Sequence, residues 1–588
     1  MSAFEFYTSR KERFQQQRSV VIGRQRLLRM ARLTVFLAVA GLVYFMFGSW
    51  MWIVLSLVLG TILFTFLVFR SNDLGKERKY LEALIRINQT ELDVLGGKWE
   101  SLPDGSEFQQ DDHAFSQDLD LFGRASFFQY VNRAALKRGR ENVASMLASN
   151  HCENIEEKQE AIQELAQKAE WRQEYTAHGS LIQSKVSEKA IVAWFESYQP
   201  FTNQFSPMLV WGISALSLIA MTLYAFDIIQ WSHLLIWFFV GATIIGRLLK
   251  KITKLSNDTS KVQDTFERYH ELLDRIETES FASKQLTSWQ SKIHQNDKKA
   301  SQIVKEFSKL LGALDQRNNI IVSIPANGFF LRDLWISYKI EKWIEANATK
   351  VGEWFGVISD FDALNSFGNY AFNHEHHVFP KVLAEGKQIE AHQLGHPLLN
   401  PKNRVDNDFA MQNKEFFIVT GANMAGKSTF LRTVGLSIVL ANNGLPVCAK
   451  SFAYAPIKLI SSMRTTDSLS DNASYFFSEL TRLKHIIDTI EHEEHFIILD
   501  EILKGTNSKD KAKGSQQFVE KLVRTGSTGI IATHDLSLCQ LEDQLPEVKN
   551  YYFDAEIVDN ELYFDYQLKV GVCQNMNASF LLKKMGIV

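Results

Sequence analysis

A glycine-rich run that carries a lysine and two hydroxyl residues lies in the last third of the chain. Residues 421–429 read Gly-Ala-Asn-Met-Ala-Gly-Lys-Ser-Thr and fit the pattern GxxxxGK followed by Ser or Thr. In that pattern the glycines let backbone N–H groups surround phosphate oxygens at the start of a helix. Lys427 then reaches the β- and γ-phosphates, and Ser428 binds Mg²⁺. The run therefore predicts a site for Mg²⁺ and a nucleoside triphosphate.

Two further groups with catalytic potential each follow a short apolar run. Asp500 and Glu501 come directly after residues 496–499, and His534 comes directly after residues 529–533. An acidic pair at the carboxyl end of a strand suits a metal-binding Asp500 and a Glu501 that aligns or deprotonates the attacking water. His534 is placed to sense the γ-phosphate. Together these groups predict an ATPase that requires Mg²⁺.

The three groups can act together only if a sheet aligns them. Residues 416–419, just before the glycine-rich run, are continuously apolar, and residues 430–442 after it have a helical pattern. Short apolar strands that alternate with helices in the last third of the chain predict a parallel α/β sheet. Because carboxyl ends of parallel strands meet at one edge, we expect Lys427, Asp500 and His534 to share that edge.

Two long apolar blocks precede this region. Residues 33–69 contain no charged side chain, and as one helix they would be about 55 Å long, nearly twice the hydrocarbon thickness of a bilayer. A break at Gly48-Ser49 divides them into two spans. Residues 207–246 repeat the design, with Asp227 as their only charge. Each block predicts a transmembrane hairpin, because a buried helix of a soluble protein normally keeps a polar face.

Basic residues flank both hairpins and set their orientation. Positive residues stay cytoplasmic, so both termini and all polar segments are expected inside, with only short turns on the other side. We therefore expect a multi-pass protein of a bacterial-type inner (cytoplasmic) membrane with its ATPase domain in the cytoplasm. The flanking residues are Arg24, Arg26, Arg29, Arg32, Arg70, Lys76, Arg78, Lys79, Arg247, Lys250, Lys251 and Lys254.

The composition excludes several other classes of protein. The chain has 588 residues, of which 46% are apolar and 22% charged, which is ample apolar mass for folded domains. Its four cysteines form no CxxC pair, which argues against a disulfide scaffold and a structural zinc site. The formal net charge of −3 argues against a protein that coats nucleic acid through bulk charge.

The segments between the apolar blocks and the ATPase region look helical. Residues 71–206 have few helix breakers, and five apolar residues after the second hairpin repeat at heptad spacing. That seam indicates either a coiled-coil lever arm or one long helix packed on a neighbour. The cluster at 374–377, His-Glu-His-His, lacks the spacing of HExxH, so we do not expect a metal there. The heptad residues are Val262, Phe266, Tyr269, Leu273 and Ile276.

Several of these segments resemble the MutS family of DNA mismatch-repair ATPases. Residues 420–429 resemble its P-loop, in which the Asn423-Met424 pair is distinctive, and residues 499–506 resemble its Walker B segment. Residues 467–479 resemble its version of the ABC-type signature, and Thr533-His534 matches its switch histidine. A weaker resemblance covers residues 120–128, 158–165, 361–366 and 395–397, and residues 577–586 resemble its C-terminal helix.

The resemblance implies a head-to-head homodimer in which Ser474 reaches the nucleotide of the opposite subunit. It also implies DNA binding, in repair or recombination. The mismatch-reading N-terminal domain of the family has no counterpart, since transmembrane helices occupy that end, and mismatch reading needs an apolar wedge that is not visible. The predicted nucleotide-binding residues are Gly421, Asn423, Met424, Ala425, Gly426, Lys427, Ser428, Thr429 and Ser474; the metal-binding residues Ser428 and Asp500; and the catalytic residues Lys427, Glu501 and His534.

The predicted fold is α/β: a C-terminal P-loop ABC-type ATPase domain preceded by an all-α core and lever region with two transmembrane hairpins. Two other functions stay open, an ATP-switched membrane scaffold or signalling protein that does not bind DNA, and a transporter ATPase. The expected domains are a basic cytoplasmic segment (1–32), hairpin 1 (33–69), a first cytoplasmic segment of the helical core (70–206), hairpin 2 (207–246), a second core segment with the helical lever (247–394) and the ATPase domain with C-terminal dimerisation helices (395–588).

Overall fold

The computed structural model describes residues 2–182, 186–295, 298–384, 386–422, 424–464, 475–504, 507–558 and 561–574. The chain is a mixed α/β protein, with a helical N-terminal region and its two larger sheets in the C-terminal half. The helices are α1 (Ala3–Phe45), α2 (Trp50–Leu95), α3 (Phe127–Val131), α4 (Lys137–Ala148), α5 (Ile155–Gln167), α6 (Ala169–Ser180), α7 (Glu188–Ser197), α8 (Ser206–Ala225), α9 (Trp231–Ser260), α10 (Gln263–Thr278), α11 (Lys284–Ile293), α12 (Ala300–Asp315), α13 (Ile320–Phe330), α14 (Arg332–Asn373), α15 (Lys427–Asn442), α16 (Tyr475–Ile490) and α17 (Ser508–Arg524). The strands are β1 (His294–Gln295), β2 (Lys298–Lys299), β3 (Lys381–Val382), β4 (Lys387–Leu394), β5 (Asn407–Gln412), β6 (Phe416–Gly421), β7 (Ser451–Tyr454), β8 (Lys458–Ser462), β9 (His495–Asp500), β10 (Thr528–Ala532), β11 (Val548–Phe553), β12 (Glu556–Val558), β13 (Glu561–Tyr563) and β14 (Leu568–Val570).

Four helices, α1, α2, α8 and α9, are long and apolar enough to cross a membrane. The predicted break in the first apolar block is confirmed, because α1 ends at Phe45 and α2 begins at Trp50. In the second block, a turn that holds Asp227 at a φ of 56° separates α8 from α9. Apolar side chains remain exposed at both turns: Phe47 is 90% exposed and Phe226 74% exposed.

The helical region is packed around α14. The C-terminal half of α14 is buried on nearly all sides: Trp354, Phe361 and Phe367 are fully buried, and so are several polar side chains between them. Helices α4, α5, α6, α7, α11 and α12 contact it. Polar partners fix its rotation, since Tyr175 Oη donates a hydrogen bond of 2.7 Å to the carbonyl of Ile358. The resulting hydrophobic core continues into the sheets of the C-terminal half.

The heptad seam belongs to α10, a helix packed in the core. Phe266, Leu273 and Ile276 are completely buried, and α12 is the main neighbour of the helix. Phe266 also meets the ring of Phe307 on α12 edge-to-face, with centroids 4.9 Å apart. The packed-helix interpretation of the seam is therefore confirmed, and the coiled-coil arm is wrong. Five apolar positions describe the buried face of a helix equally well in both cases.

A six-stranded sheet forms the centre of the C-terminal half, in the order β14-β11-β6-β10-β9-β8. The neighbours β11, β6, β10, β9 and β8 pair in parallel, and β14 pairs antiparallel at the edge. A second sheet, in the order β3-β7-β4-β5, lies beside it. The predicted α/β fold of the last third of the chain is confirmed, although the first strand of these two sheets already begins at Lys381.

The histidine cluster after α14 is a structural element. The rings of His374 and His377 stack with centroids 4.5 Å apart, and hydrogen bonds join them to Tyr130 Oη at 2.8 Å and Tyr370 Oη at 3.1 Å. Burial lowers the pKa of His374 to about 4. Burial and the neighbouring His374 lower the pKa of His377 to about 3. Among the described residues, no group of three or more His, Cys, Asp or Glu side chains is placed to hold a metal ion.

Protonation of these two imidazoles should destabilise the protein in mild acid. Their folded-state pKa values lie below the value of about 6.5 for an unfolded histidine, so the unfolded chain binds more protons between those values. Stability should fall as the pH is lowered from about 6.5 towards 4. We expect His377→Gln to reduce the drop in melting temperature between pH 7 and pH 5 by roughly a few degrees. His376, whose side chain is 92% exposed, provides the control, and an equal effect of His376→Gln would contradict this account.

Candidate nucleotide-binding site

The register of three parallel strands places the predicted site residues at one edge of the sheet. Ala532 on β10 pairs with Val419 on β6 on one side and with Asp500 on β9 on the other. Every residue of β6 is buried, which its sequence Phe-Phe-Ile-Val-Thr-Gly allows and which a strand with parallel neighbours on both sides requires. The loop after β6, the acidic pair after β9 and the histidine after β10 therefore lie together, as predicted.

Two glycines shape the loop between β6 and α15. Gly421 has a φ of +144°, and a Cβ there would lie 2.5 Å from the carbonyl oxygen of Phe553. Gly426 has a φ of +105° and directly precedes α15. A side chain at either position would therefore be strained, because L-residues rarely adopt such backbone angles. The loop can thus turn tightly and direct the first turn of α15, with its unpaired N–H groups, towards the cavity.

Lys427 lies at the centre of the site. Its Nζ donates hydrogen bonds of 2.9 Å to the carbonyls of Gly421 and Ala422 and lies 3.3 Å from Nε2 of His534. Burial lowers the pKa of Lys427, and the carboxylates of Asp500 and Glu501 oppose that shift. Burial, together with the positive charge of Lys427, lowers the pKa of His534. At neutral pH His534 therefore presents a neutral imidazole to the Lys427 amine.

Ser428 and Asp500 form a pair of oxygen ligands. The Ser428 hydroxyl donates a hydrogen bond of 2.6 Å to Oδ2 of Asp500. Hard cations such as Mg²⁺ take oxygen ligands and are usually held by one or two protein groups together with phosphate oxygens. Both groups line the cavity, so they fit a Mg²⁺ ion that bridges the protein and a triphosphate.

Two lysines hold Glu501. Nζ of Lys511 lies 3.4 Å and Nζ of Lys504 lies 3.6 Å from its carboxylate oxygens, and the backbone of Glu501 has a φ of 55°. Burial alone would raise the pKa of Glu501, but Lys511, Lys504 and His534 lower it below the usual value. The carboxylate is therefore ionised at neutral pH, as a group that accepts a proton from water must be.

The cavity at this edge has a volume of about 670 Å³, which falls within the usual range for ligand sites. It is lined by Lys427, Ser428 and Asp500, and also by His396 and Tyr566. Burial lowers the pKa of His396 to about 4, so its imidazole is neutral at pH 7. The other lining residues outside the predicted set include Leu394, Gly395, Leu399, Asn403, Arg404, Val405, Asn407, Phe430, Thr433 and Phe553.

The structure brings most of the predicted residues around this cavity. Gly421 and Ala425 belong to the loop itself, and Ala425 is completely buried. Asn423, Ser474 and most of the signature segment lie outside the described residues, as do residues 577–586. The predicted residues that line the cavity are Met424, Gly426, Lys427, Ser428, Thr429, Asp500, Glu501 and His534.

The sequence did not predict the cavity-lining residues outside the motifs. Tyr566 and Phe553 follow the site in the sequence with no motif around them. The sequence signals His396 only through a resemblance of residues 395–397 to the family's Gly-x-His-Pro segment. Lys504 and Lys511 could have been proposed from the sequence. Both come shortly after Asp500 and Glu501, so the chain can bring their side chains back to the acidic pair.

Comparisons with known proteins agree with the geometry. Residues 417–583 match the family model of MutS domain V. The DNA mismatch repair protein MutS of Aquifex pyrophilus is 33% identical over 230 residues, which are 38% of this chain and 26% of that protein. The DNA mismatch repair protein MutS of Thermotoga maritima is 24% identical over 343 residues, which are 57% of this chain and 38% of that protein.

A human relative is similar over a shorter stretch. MutS protein homolog 4 of Homo sapiens is 28% identical over 193 residues, which are 31% of this chain and 20% of that protein. The chain thus spans between 20% and 38% of the length of these three curated relatives. The match to the family model includes the cavity-lining residues from Met424 onwards but not those between Leu394 and Asn407.

Removal of the Lys427 amine should weaken nucleotide binding. Charge-assisted hydrogen bonds contribute about 1.5–3 kcal/mol, so Lys427→Ala should raise the Kd for ATP about tenfold to a hundredfold. Titration of detergent-purified protein with a fluorescent ATP analogue measures the change. Lys450, an exposed lysine outside the cavity, gives the matched control Lys450→Ala. Equal affinities for the two variants would show that nucleotide does not bind at this cavity.

Proposed function

We propose that this chain is a membrane-anchored ATPase of the MutS family, to which its C-terminal domain is similar. The observation that carries the proposal is the convergence of Lys427, Ser428, Asp500, Glu501 and His534 on one cavity. Each of these side chains has the chemistry that ATP hydrolysis requires, and three different strand ends supply them. The match to MutS domain V covers all five residues.

In the proposed reaction each residue has a distinct task. Lys427 exchanges its contacts to the carbonyls of Gly421 and Ala422 for phosphate oxygens. Ser428 and Asp500 hold Mg²⁺, which when bound neutralises charge on the β- and γ-phosphates. Glu501 orients the attacking water and accepts its proton.

His534 and the three lysines near it would change partners when nucleotide binds. His534 is neutral and lies 3.3 Å from Nζ of Lys427, so it can donate or accept a hydrogen bond when Lys427 moves to the γ-phosphate. Glu501 must loosen its ion pairs with Lys504 and Lys511 before it can act as a base towards water. We infer that nucleotide binding, which brings negative charge to the cavity, favours this rearrangement.

The proposed active unit is a homodimer. In it, Ser474 of the partner subunit would complete the nucleotide site, ATP would close the two ATPase domains on each other, and hydrolysis would release them. This part of the proposal is supported by the resemblance of residues 467–479 to the MutS signature segment.

The proposed anchor consists of α1, α2, α8 and α9. Their length and apolar composition support it, as does the exposure of large apolar side chains along them. Burying such side chains in hydrocarbon removes apolar surface from water at about 25 cal/mol per Å². With the basic flanks on the cytoplasmic side, the ATPase domain lies in the cytoplasm of a bacterial-type inner membrane.

The proposed ligand is DNA, by analogy with relatives that are named DNA mismatch repair proteins. A second candidate is an ATP-switched membrane scaffold that does not bind DNA. The formal net charge of −3 favours this second candidate, because contact with duplex DNA relies on cationic side chains. A transporter ATPase is the weakest candidate, because Asp227 is the only charge within the second block and lies in its turn.

Replacement of Glu501 should separate ATP binding from hydrolysis. Glu501→Gln keeps the size of the side chain but cannot accept a proton, so we expect kcat to fall about 100-fold or more while ATP stays bound. Bound nucleotide after gel filtration and the dimer fraction by multi-angle light scattering report the trapped state. Glu494→Gln changes an exposed glutamate near the start of β9 and should hydrolyse ATP normally. A Glu501→Gln variant with the parent rate would remove Glu501 from catalysis.

DNA binding can be tested with salt as the variable. Contacts to phosphates release counterions, so binding to DNA should weaken steeply between 50 mM and 200 mM salt, roughly 10-fold or more. The assay compares homoduplex, mismatched and branched DNA with detergent-purified protein and follows both retention and ATPase rate. Retention of any of these DNAs at low salt, with a changed ATPase rate, supports the DNA proposal. No retention and an unchanged rate would favour the scaffold.

A further inference from the structure

A short apolar helix, α13, lies beside the second hairpin with part of its surface uncovered. Ile321 is 85% exposed, Ile320 67% and Ile324 54%. Large apolar side chains that are exposed together on one short helix form a patch that is costly in water. The helix is about 16 Å long, too short to cross a hydrocarbon core of about 30 Å. α13 therefore cannot cross the membrane by itself, yet its exposed apolar surface still has to be covered.

On its covered side, the backbone of α13 lies very close to the hairpin. A Cβ on Gly241 of α9 would collide with the carbonyl oxygen of Gly328, and a Cβ on Gly328 would collide with the ring of Phe238. Such glycine contacts, which let two helices approach closely, are typical of helix packing inside membranes. α13 is thus fitted to α9 as a third helix of the hairpin.

One carbonyl near the end of α13 is paired with a side chain of the hairpin. Ser217 of α8, which is completely buried, donates a hydrogen bond of 2.6 Å from Oγ to the carbonyl of Phe329. Trp237 of α9 donates in turn from Nε1 to Oγ of Ser217 at 2.8 Å. A carbonyl left unpaired in hydrocarbon costs several kcal/mol. This chain of hydrogen bonds therefore permits the end of α13 to lie in an apolar environment.

The contacts along α9 define how deep α13 reaches. Arg317, just before α13, donates from Nη1 to Oγ1 of Thr253 at 3.2 Å, whereas Gly328 meets Gly241. α13 therefore runs antiparallel to α9, from the basic flank into the apolar block. Gly241 precedes Arg247 by six residues, which is about 9 Å of helix. The far end of α13 thus lies about 9 Å beyond the last cationic side chain of that flank.

We propose that α13 is a membrane-embedded helix that enters the cytoplasmic leaflet beside α8 and α9 and leaves it again on the same side. The proposal rests on the membrane anchoring proposed above. The uncovered surface of α13 contacts lipid acyl chains, because α13 packs on α8 and α9 at Ser217 and Gly241, which lie inside the second apolar block. The exposed apolar side chains of α13 are Ile320, Ile321, Val322 and Ile324.

The embedded helix connects α14 directly to the membrane. Leu331, completely buried with a φ of 47°, reverses the chain, and α14 begins at the next residue. The charges at this corner point back to protein partners: Arg332 donates to the carbonyl of Ala313 at 2.6 Å, and Arg317 lies 3.5 Å from the Asp333 carboxylate. Arg332 and Asp333 directly follow the deep end of α13, and charges inside a membrane are tolerated where they pair with one another or with backbone carbonyls. α14 is therefore one continuous helix from the bilayer to the start of the sheets.

Site-specific labelling of the full chain in vesicles tests the proposal. Single cysteines are introduced in a Cys152→Ser background, since the other three native cysteines are buried. Ile321→Cys probes α13, Leu218→Cys (57% exposed on α8) probes the hairpin, and Lys309→Cys on α12 is the water-exposed control. The protein is placed in vesicles of phosphatidylethanolamine and phosphatidylglycerol. The readouts are alkylation by a charged maleimide and quenching of a bimane label by nitroxide lipids.

We expect Ile321→Cys and Leu218→Cys to react at least about tenfold more slowly than Lys309→Cys, and both to be quenched by lipid. Protection at Leu218 with Lys309-like reactivity at Ile321 would overturn the inference and leave the hairpin anchoring intact. Protection at Ile321 without lipid quenching would also overturn it, because protein would then cover α13. Free reaction at Leu218 would instead refute the membrane anchoring on which the inference rests.

Discussion

The parallel register of β6, β10 and β9 is the constraint on which the site depends. It places Val419, Ala532 and Asp500 side by side, so the groups that follow each strand meet at one edge. A slip of one residue would move a strand end by about 3.3 Å and turn each side chain to the opposite face. The 2.6 Å hydrogen bond between Ser428 and Asp500 would then be lost. Continuous apolar strands, buried on both faces, stabilise this register. The positions of the site residues therefore depend on the hydrophobic core on both sides of the sheet.

The helix that starts at the phosphate loop also ties the site to the rest of the chain. α15 is buried along nearly its whole length, because the sheet covers one side and the segment before α3 covers the other. A Cβ on Gly435 would lie 2.7 Å from the side chain of Leu119 and 2.9 Å from that of Ile498, so α15 is tightly packed on both sides at this position. Asp120 joins Arg432 on α15 to Arg464 after β8 through ion pairs of 3.2 Å and 2.6 Å. A shift of α15 would therefore disturb its contacts with Leu119 and Asp120 in the segment before α3.

The sequence predicted those features whose cause is local. The apolar runs before Gly421, Asp500 and His534 predicted buried strands, and the helix break at Gly48-Ser49 followed from the length of the apolar block. Features that depend on distant neighbours could not be predicted in this way. The heptad helix α10 has the same periodicity whether its face meets another subunit or α12, and only the fold decides. Helix α13 was hidden because a short apolar segment with an internal proline looks like a loop or a buried segment. Tyr566 enters the cavity from a loop whose position the sheet determines.

The central claim is that Lys427, Ser428 and Asp500 surround the triphosphate of Mg-ATP. The most direct test is an electron cryomicroscopy structure of the full chain in lipid nanodiscs with Mg²⁺ and a non-hydrolysable ATP analogue. We expect γ-phosphate oxygens within hydrogen-bond distance of Nζ of Lys427, a metal ion bound by Ser428 with Asp500 beside it, and the adenosine in the same cavity near His396. Analogue density at another place, or a saturated sample in which Lys427 still bonds only to the carbonyls of its own loop, would contradict it.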